Sequence, residues 1–469
     1  MKIEVLNENQ IQRIKELTEE AIEKIGFKVE DPELLKIASK AGAVVDQGSR
    51  TVKIPAALLR ELISKVPESY IVKTINHSEY IIGEGNQYIS AIVTDPWIID
   101  YETKEPRRPS LDDVLKNTIL IQKNKQVATV GRMDFPVCEY NDATSSLRAL
   151  EIHLLNHTKH YNVYTACLRD FMQWMEIGEI LVQGRDLAKS NLMTVAVAIV
   201  SPLTLLEFNC RVLLEASARN FVIVPTICPM AGTTSPYSKD STLLQGNIEN
   251  IFLAALTQMV NPGNPFLYAF GPSVSSMKTG HDLYYTLDKV LWKIAANELG
   301  KSYSMPTVAE CGGTLSHRYD MQSGAESMLF MLMAQTTGAD LLAGIGSCFN
   351  ANGLSSEMIV IQSEWLRAAE YLSRGLRTDY LKEGLESIKK QGHGGNFLID
   401  DLTLKLLRSE EFYSSSIFDM SGGYEKAPSI LENAHRIVEK LTSDYISPVP
   451  EPIQEDLKRY FYDLYKKMQ

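Results

Sequence analysis

The sequence has 469 residues, of which 45% are hydrophobic and 22% are charged, and its formal net charge is −11. This composition is typical of a folded globular chain, and the acidic excess argues against binding to a nucleic-acid backbone as the main function. No apolar run reaches the roughly 18 residues that a membrane span needs, and the first residues are charged. We therefore expect a cytoplasmic protein that binds neither membranes nor nucleic acid. The six cysteines form no CxxC pair, so neither a zinc ribbon nor a redox dithiol is indicated.

Residues 1–97 predict a small α+β cap domain. Apolar side chains recur at helical spacing over residues 10–26. Residues 44–54 predict a hairpin that turns at Gly48, and short alternating strands follow from residue 80 to residue 93.

From residue 98 onward, short apolar runs alternate with helical patterns. The apolar runs, each of which predicts a strand, are 127–135, 161–168, 192–200, 221–229, 265–270, 305–309, 339–345 and a weaker eighth run, 396–399. Near-continuous apolar strands separated by helices indicate a parallel sheet that is covered on both faces, and eight such units favour a closed TIM (β/α)8 barrel. We therefore predict an α/β fold with an N-terminal α+β cap (1–97), a TIM barrel (98–400) and a C-terminal helical extension (401–469).

In a barrel, ligands bind at the carboxyl ends of the strands. Asp134 and Glu310 are the two carboxylates at these positions, and they are either an acid/base pair or acceptors for loop N–H groups. His153 and His157 lie four residues apart on a predicted helix, but no glutamate follows the first histidine as it does in zincins, so we predict no protein-bound metal. The glycines around His393 permit either the close approach of a large flat ligand or a tight turn.

Several longer stretches carry a resemblance to a known family. They are IIDYETKEPRRPSLDDV (98–114), PMAGTTSPYSKDSTLLQGNIENIFLAALTQMVNPGNPFLYA (229–269), SYSMPTVAECGGTLSHRYDMQSGAES (302–327), GLSSEMIVIQSEWL (353–366) and GGNFLIDDLTLKLLRSEEF (394–412). In these stretches the chain resembles the trimethylamine methyltransferase superfamily, specifically the members that lack pyrrolysine and demethylate quaternary amines.

The resemblance implies a TIM barrel that passes a methyl group from its substrate to the Co(I) of a corrinoid (cobalamin-type) cofactor carried by a separate small protein. The absence of pyrrolysine argues against trimethylamine as the substrate. A quaternary ammonium departs as a neutral tertiary amine, so the chain has to supply alignment and desolvation, with no general acid, nucleophile or metal of its own. Glycine betaine is the first expected substrate, followed by proline betaine, carnitine and γ-butyrobetaine. A homo-oligomer is expected.

The resemblance also directs attention to particular side chains. Aromatic faces attract a quaternary ammonium with about 0.5–2 kcal/mol per ring, with core packing as the alternative role of each ring. The candidate substrate-binding residues are the aromatic Phe135, Tyr268, Phe270, Phe349 and Phe397, together with His317, Gln322 and Asn350 as donors to a substrate carboxylate. Asp320 and Gln322 fall on the family's loop pattern and are expected to align that loop. His393, Gly394 and Gly395 are the expected corrinoid contacts.

Two functions of other classes stay open from the sequence. A TIM-barrel lyase or hydrolase that uses Asp134 and Glu310 would act without a corrinoid and would lose its activity on Asp134→Asn. A non-catalytic betaine-binding protein would bind its ligand without methyl transfer to any corrinoid partner.

Overall fold

The computed structural model describes residues 3–131, 135–425 and 427–468, so Asp134 lies outside the described residues. The helices are α1 (Glu8–Lys24), α2 (Pro32–Lys40), α3 (Ala56–Ile63), α4 (Leu111–Lys123), α5 (Ser145–Leu154), α6 (Leu168–Val182), α7 (Glu207–Ala218), α8 (Lys239–Val260), α9 (Leu287–Ser302), α10 (Met321–Thr337), α11 (Ser356–Ser373), α12 (Leu381–Gln391), α13 (Asp401–Leu406), α14 (Ile430–Thr442) and α15 (Glu451–Met468). The strands are β1 (Phe27–Val29), β2 (Val44–Asp46), β3 (Thr51–Lys53), β4 (Tyr70–Lys73), β5 (Glu79–Ile82), β6 (Tyr88–Ile92), β7 (Trp97–Ile99), β8 (Pro106–Arg107), β9 (Val127–Gly131), β10 (His160–Val163), β11 (Met193–Ala198), β12 (Thr204–Leu205), β13 (Val222–Thr226), β14 (Met230–Ala231), β15 (Ser273–Ser275), β16 (Asp282–Leu283), β17 (Val308–Glu310), β18 (Leu341–Ala343), β19 (Ser347–Cys348) and β20 (Gly353–Leu354).

Seven parallel strands form the central sheet, in the order β13–β11–β10–β9–β6–β18–β17. Strands β11 and β13 pair from Thr194 opposite Val222 to Ala198 opposite Thr226. Side chains such as Val195 are fully buried, because helices cover the outer face of the sheet and the inner face is enclosed. The sequence predictions of a parallel α/β sheet and of strands within 127–135, 161–168, 192–200, 221–229, 305–309 and 339–345 are confirmed.

The segment 265–270 lies beside both edge strands of this sheet. Phe266 makes a parallel bridge to Ile223 of β13, and Tyr268 makes one to Thr307, the residue before β17. The Leu267 N–H donates to the Ile223 carbonyl at 2.9 Å, and the Tyr268 N–H donates to the Pro306 carbonyl at 2.8 Å. The predicted strand at this position therefore runs parallel to its neighbours on both sides and is hydrogen-bonded to each of them.

The predicted eighth strand at 396–399 is wrong. These residues form an exposed loop and turn, with Leu398 and Ile399 each 81% exposed, so nothing in the described chain covers the apolar run. The strand that lies between β9 and β18 is β6, whose Ser90 is opposite Thr129 of β9 and opposite Ala343 of β18. Strand β6 precedes residue 97, so the central sheet includes residues from the segment that the sequence assigns to the cap. The boundaries of the three predicted domains stay a prediction.

The remaining elements form layers around the sheet. The predicted hairpin at Gly48 is confirmed by the antiparallel pair β2–β3, and β1 joins this pair to β12. Phe27 of β1 stacks on Phe252 of α8, with ring centroids 3.7 Å apart, which fixes the N-terminal layer on the outside of the sheet. In the C-terminal part, α14 packs on α4 and α11, and α15 packs on α5 and α6. Among the described residues, every helix is too short or too polar to cross a membrane.

Candidate active site

A cavity of about 200 Å³ lies inside the central sheet and reaches the carboxyl ends of its strands, where α/β sheets place their ligands. The chemically informative side chains that line it are Ser90, Asn162, Tyr164, Thr194, Thr226, Cys228, Phe270, Tyr284, Lys293 and Glu310. It is smaller than the roughly 300–1,000 Å³ pockets that take drug-sized ligands. The cavity therefore suits a small substrate.

A group of charged side chains occupies one wall of the cavity. The Tyr284 hydroxyl donates to Glu310 Oε1 at 2.7 Å. The other carboxylate oxygen, Glu310 Oε2, lies 3.1 Å from Lys289 Nζ and 3.6 Å from Lys293 Nζ. The two lysines are four residues apart on α9, so they project from the same face of that helix toward the end of β17. Lys293 also donates to the Phe270 carbonyl, which ties this wall to the segment 265–270.

Burial and pairing set the charges of this group. Burial alone would raise the pKa of Glu310, but the ammonium groups of Lys289 and Lys293 outweigh it and hold that pKa below its ordinary value. Burial lowers the pKa of Lys289 from 10.5 to about 7, and the attraction of Glu310 opposes this shift only in part. Burial together with the Glu310 charge raises the pKa of Tyr284 well above its usual range. The site thus contains an ionised carboxylate and a protonated phenol at neutral pH.

The opposite wall is neutral and polar. Asn162 Nδ2 donates to Ser90 Oγ at 2.9 Å and to Thr129 Oγ1 at 3.0 Å, which joins β10, β6 and β9. The Nε2 atom of His160 lies 2.9 Å from Thr194 Oγ1, and burial lowers the pKa of this histidine to about 4, so it is uncharged at neutral pH. The cavity therefore has one charged end and one uncharged end.

Asn350 holds the segment that carries Tyr284. Its Oδ1 accepts from the Tyr284 N–H at 2.9 Å, and its Nδ2 donates to the Asp282 carbonyl at 2.6 Å. Phe349, Asn350 and Ala351 have φ values of 57°, 53° and 62°, the left-handed region that costs a side chain roughly 1–2 kcal/mol per residue. The amide of Asn350 thus binds two backbone groups and positions Tyr284, while its predicted role as a substrate donor stays a prediction.

The predicted aromatic residues on the segment 265–270 lie largely on its helix side. Phe270 borders the cavity, but its ring packs against α8, where a Cβ added to Gly246 would lie 2.5 Å from it. Tyr268 is 1% exposed, and its hydroxyl donates to Asn247 Oδ1 at 2.7 Å. Tyr268 therefore packs between the sheet and α8, and its contact with substrate stays a prediction. Phe135 is half-buried and is not among the described residues that line the cavity.

Four residues of this site do not stand out in the sequence. Tyr164 directly follows β10, but the apolar run predicts a strand to residue 168 and so places Cys167 at the strand end. Tyr284 lies in a loop with no motif of its own. The signal that could have found Lys289 and Lys293 is their spacing, because two lysines four apart on the apolar face of a helix need a buried partner.

The predicted loop residues after β17 and β18 are brought together, but they are not among the described residues that line the cavity. The rings of His317 and Phe349 meet edge to face with centroids 3.9 Å apart. Asp320 caps α10 by accepting from the Ser323 N–H at 2.8 Å, and this bond contributes most to holding the pKa of Asp320 below its ordinary value. Gln322 donates to Glu326 at 2.9 Å. Asp320 thus caps the helix that follows the loop, while the alignment of the loop and the binding of substrate by these residues stay predictions.

The remaining predicted residues follow the cavity-lining residues by about 50 positions or more in the sequence. His393, Gly394, Gly395 and Phe397 belong to the exposed connection between α12 and α13. That connection follows α11, whose Glu370 accepts from Gln126, the residue before β9. It therefore emerges at the end of the sheet where the strands begin. These four residues are not among the described residues that line the cavity, and the predicted corrinoid contacts and the predicted cation contact of Phe397 stay predictions.

The described residues contain no group of three or more His, Cys, Asp and Glu side chains arranged to hold a metal ion. His153 and His157 are both buried, with ring centroids 4.1 Å apart, and burial lowers the pKa of His157 to about 3. Their contacts are those of core residues.

The parallel α/β sheet and the small, charged cavity at the ends of its strands are those of an enzyme that acts on a small molecule. The comparison with protein families specifies the class. The family model described as trimethylamine methyltransferase (MTTB) matches residues 1–468. The chain belongs to this family and is a methyltransferase.

Characterised relatives match almost the full length of the chain. A glycine betaine methyltransferase from Desulfitobacterium hafniense is 26% identical over 462 residues, which cover 96% of this chain and 95% of the relative. A proline betaine:corrinoid methyltransferase from Eubacterium limosum is 24% identical and covers 98% and 95%. The trimethylamine methyltransferase MttB of D. hafniense is 24% identical and covers 94% and 90%. Among solved structures, the monomethylamine methyltransferase of Methanosarcina barkeri aligns over 92% of each chain with a TM-score of 0.47 and 10% identity.

Proposed function

We propose that this chain moves a methyl group from a quaternary amine to the Co(I) corrinoid of a partner protein. The observation that carries the proposal is the small cavity with the side chains of Tyr164 and Tyr284 and the ionised carboxylate of Glu310 in its walls. A tetraalkylammonium has no N–H group to donate, so its recognition depends on aromatic faces and on opposite charge. The rings of Tyr164 and Tyr284 and the carboxylate of Glu310 supply both features, and Lys289 Nζ already occupies one face of the Tyr284 ring, 2.7 Å from its centroid.

The proposed architecture is a closed TIM (β/α)8 barrel. The seven-stranded sheet supplies seven of the strands, and the segment 265–270 would be the eighth, between β13 and β17. In this arrangement the cavity would lie in the barrel interior, with its opening at the carboxyl ends of the strands.

Lys293 supports a betaine as the substrate. Two ammonium groups and one carboxylate give the charged wall a net charge of +1 when all three are ionised. Glu310 is already paired with both lysines, so a betaine is favoured because it would place its own carboxylate near Lys293 and its ammonium near the tyrosine rings. Glycine betaine is our first expected substrate, and proline betaine, carnitine and γ-butyrobetaine share the same two groups.

The size of the cavity fits a reaction in which this chain binds the amine and the partner protein holds the corrinoid. A volume of about 200 Å³ accommodates a small betaine but not a corrin macrocycle, so the corrinoid would stay with its carrier protein at the opening. When bound, the corrinoid supplies the nucleophile that accepts the methyl group. The electrons of the broken carbon–nitrogen bond stay on nitrogen, which leaves as a neutral tertiary amine. Tyr284 and Glu310 therefore bind and orient the substrate and transfer no proton, which agrees with the raised pKa of Tyr284.

The test is methylation of cob(I)alamin by the purified chain with a panel of quaternary amines and trimethylamine, followed by the loss of Co(I) absorbance. We expect methylcobalamin with one betaine and none with trimethylamine. Absence of the signal with every compound, even with a corrinoid carrier protein supplied, would refute the proposal.

The same panel separates the two alternatives from this reaction. A non-catalytic betaine-binding protein would give calorimetric binding without any change at cobalt. A lyase or hydrolase that uses Glu310 with Asp134 would release product without cobalamin and would be inactive as Asp134→Asn.

A further inference from the structure

We propose that the segment 375–410, called here the α12–α13 arm, is the surface through which two copies of this chain associate. Neither α12 nor α13 contains a buried residue among the described part of the chain. Leu381, Leu385 and Ile388 follow one another at helical spacing on α12 and are 71%, 51% and 59% exposed. In the connection to α13, Leu398 and Ile399 are each 81% exposed.

The two helices of the arm contact each other through polar groups. The Ser387 hydroxyl donates to Asp400 at 2.7 Å, and Lys390 pairs with Asp401 at 3.0 Å. Lys405 of α13 pairs with Glu383 of α12 at 3.3 Å. An isolated helical hairpin would instead bury its leucines between the helices and expose its charges. The arm is therefore built to bury its apolar face against another protein surface.

The position of the arm in the fold argues against the corrinoid carrier as the protein that covers it. Both of its ends are attached to the last turns of α11, where Arg374 pairs with Glu370 at 2.7 Å and Tyr371 donates to the Glu411 carbonyl at 3.3 Å. Glu370 in turn contacts Gln126, just before β9 begins. The arm thus lies at the opposite end of the strands from the cavity opening. If the proposed function holds, the corrinoid carrier must reach that opening, so it does not cover the arm.

The charge of the arm agrees with a second copy as its partner. Residues 375–410 contain six Lys and Arg and six Asp and Glu, which gives a net charge of 0 in a chain whose total is −11. In a two-fold symmetric interface the same patch meets itself, so a strongly charged patch would repel its own copy. A nearly neutral patch with both signs interspersed can pair with itself.

The exposed apolar area of the arm is also large enough for a dimer interface. The large apolar residues of the arm that are 42% or more exposed together expose on the order of 1,000 Å², compared with the roughly 800 Å² that each partner buries in a standard interface. The arm alone therefore offers enough surface for a stable dimer contact.

The test compares the full chain with the double variant Leu385→Lys/Ile388→Lys by sedimentation velocity at tens of micromolar concentration. We expect the unmodified chain to sediment as two or more copies and the double variant to lose the dimer contact and sediment at a lower mass. A second double variant, Leu398→Lys/Ile399→Lys, should give the same result from the other element of the arm. All four positions are exposed, so circular dichroism should report an unchanged fold.

The control is Ile446→Lys, which makes the same chemical change at a position that is 88% exposed and lies outside the arm. It should keep the mass of the unmodified chain. An unmodified chain that sediments as one copy, or double variants that keep the unmodified mass, would overturn the proposal. Variants that keep this mass but fail to methylate a carrier-bound corrinoid would assign the arm to the carrier. Sedimentation requires no activity, so this proposal and the proposed function can fail separately.

Discussion

The buried ammonium of Lys289 should make the stability of the protein depend on pH in a specific window. Its pKa is about 7 in the folded chain and 10.5 ordinarily. Between these values the unfolded chain binds a proton that the folded chain has released, so the free energy of unfolding rises with pH by up to about 1.4 kcal/mol per pH unit. Integrated from pH 7 to pH 9 for one group, the gain is about 2 kcal/mol. Below pH 7 both states carry this proton and the contribution disappears.

The variant Lys289→Met removes the titrating group and should remove this gain. The measurement is the urea dependence of tryptophan fluorescence at pH 7, 8 and 9 for both proteins. Lys278→Met, at an exposed lysine, serves as the control and should retain the rise of the unmodified chain. All other groups titrate in both proteins, so the difference between the two curves isolates Lys289. Parallel curves for the unmodified chain and Lys289→Met would refute the description of Lys289 as a buried, destabilised ammonium.

Three further predictions concern the cavity wall. Tyr284→Leu removes a ring that binds the ammonium and should raise KM for the betaine by roughly 2- to 30-fold, while Tyr284→Phe, which keeps the ring, should change KM less; steady-state methyl transfer measures both. Asn350→Leu leaves the Tyr284 N–H and the Asp282 carbonyl without their partner and should lower the free energy of unfolding by about 1–3 kcal/mol in urea titrations, with a parallel loss of kcat/KM. Gly271→Ala would place a Cβ 2.6 Å from the Tyr284 hydroxyl and should break its bond to Glu310, seen as weaker betaine binding in calorimetry; unchanged affinity would contradict this geometry.

The sequence predicts the central strands well where burial on both faces leaves a continuous apolar run, as in Val127–Gly131. It predicts short alternating strands from residue 80 to residue 93 but not that β6 belongs to the central sheet, because YISAI alternates, with Ser90 facing the cavity and its neighbours facing the helices. It also fails at residues 396–399, where an apolar run of strand length belongs to an exposed loop. Local hydrophobicity records that a side chain will be buried but not whether the covering surface is a sheet, a helix or another chain.

The candidate site is predictable to a smaller extent. Glu310 is found because it directly follows a strand, and Asp320 because a short acidic side chain before a helix is a capping signal. The partners of Glu310 are not, because Tyr284 and Lys289 meet it only through the packing of α9 on β17. Such contacts join residues that are far apart in sequence and depend on helix orientation, which one sequence without its fold does not contain.

The bridges that join the segment 265–270 to its neighbours also bear on how the molecule moves. Strands β11 and β13 pair over five consecutive positions, whereas this segment meets the sheet through the bridges at Phe266 and Tyr268. Local unfolding begins where the fewest hydrogen bonds have to break, so the segment 265–270 should separate from its neighbours before the other strands separate. Amide hydrogens of Leu267 and Tyr268 would then exchange with solvent faster than those of β11. Because Phe270 anchors Lys293 at the same place, each such opening would also loosen the charged wall of the cavity.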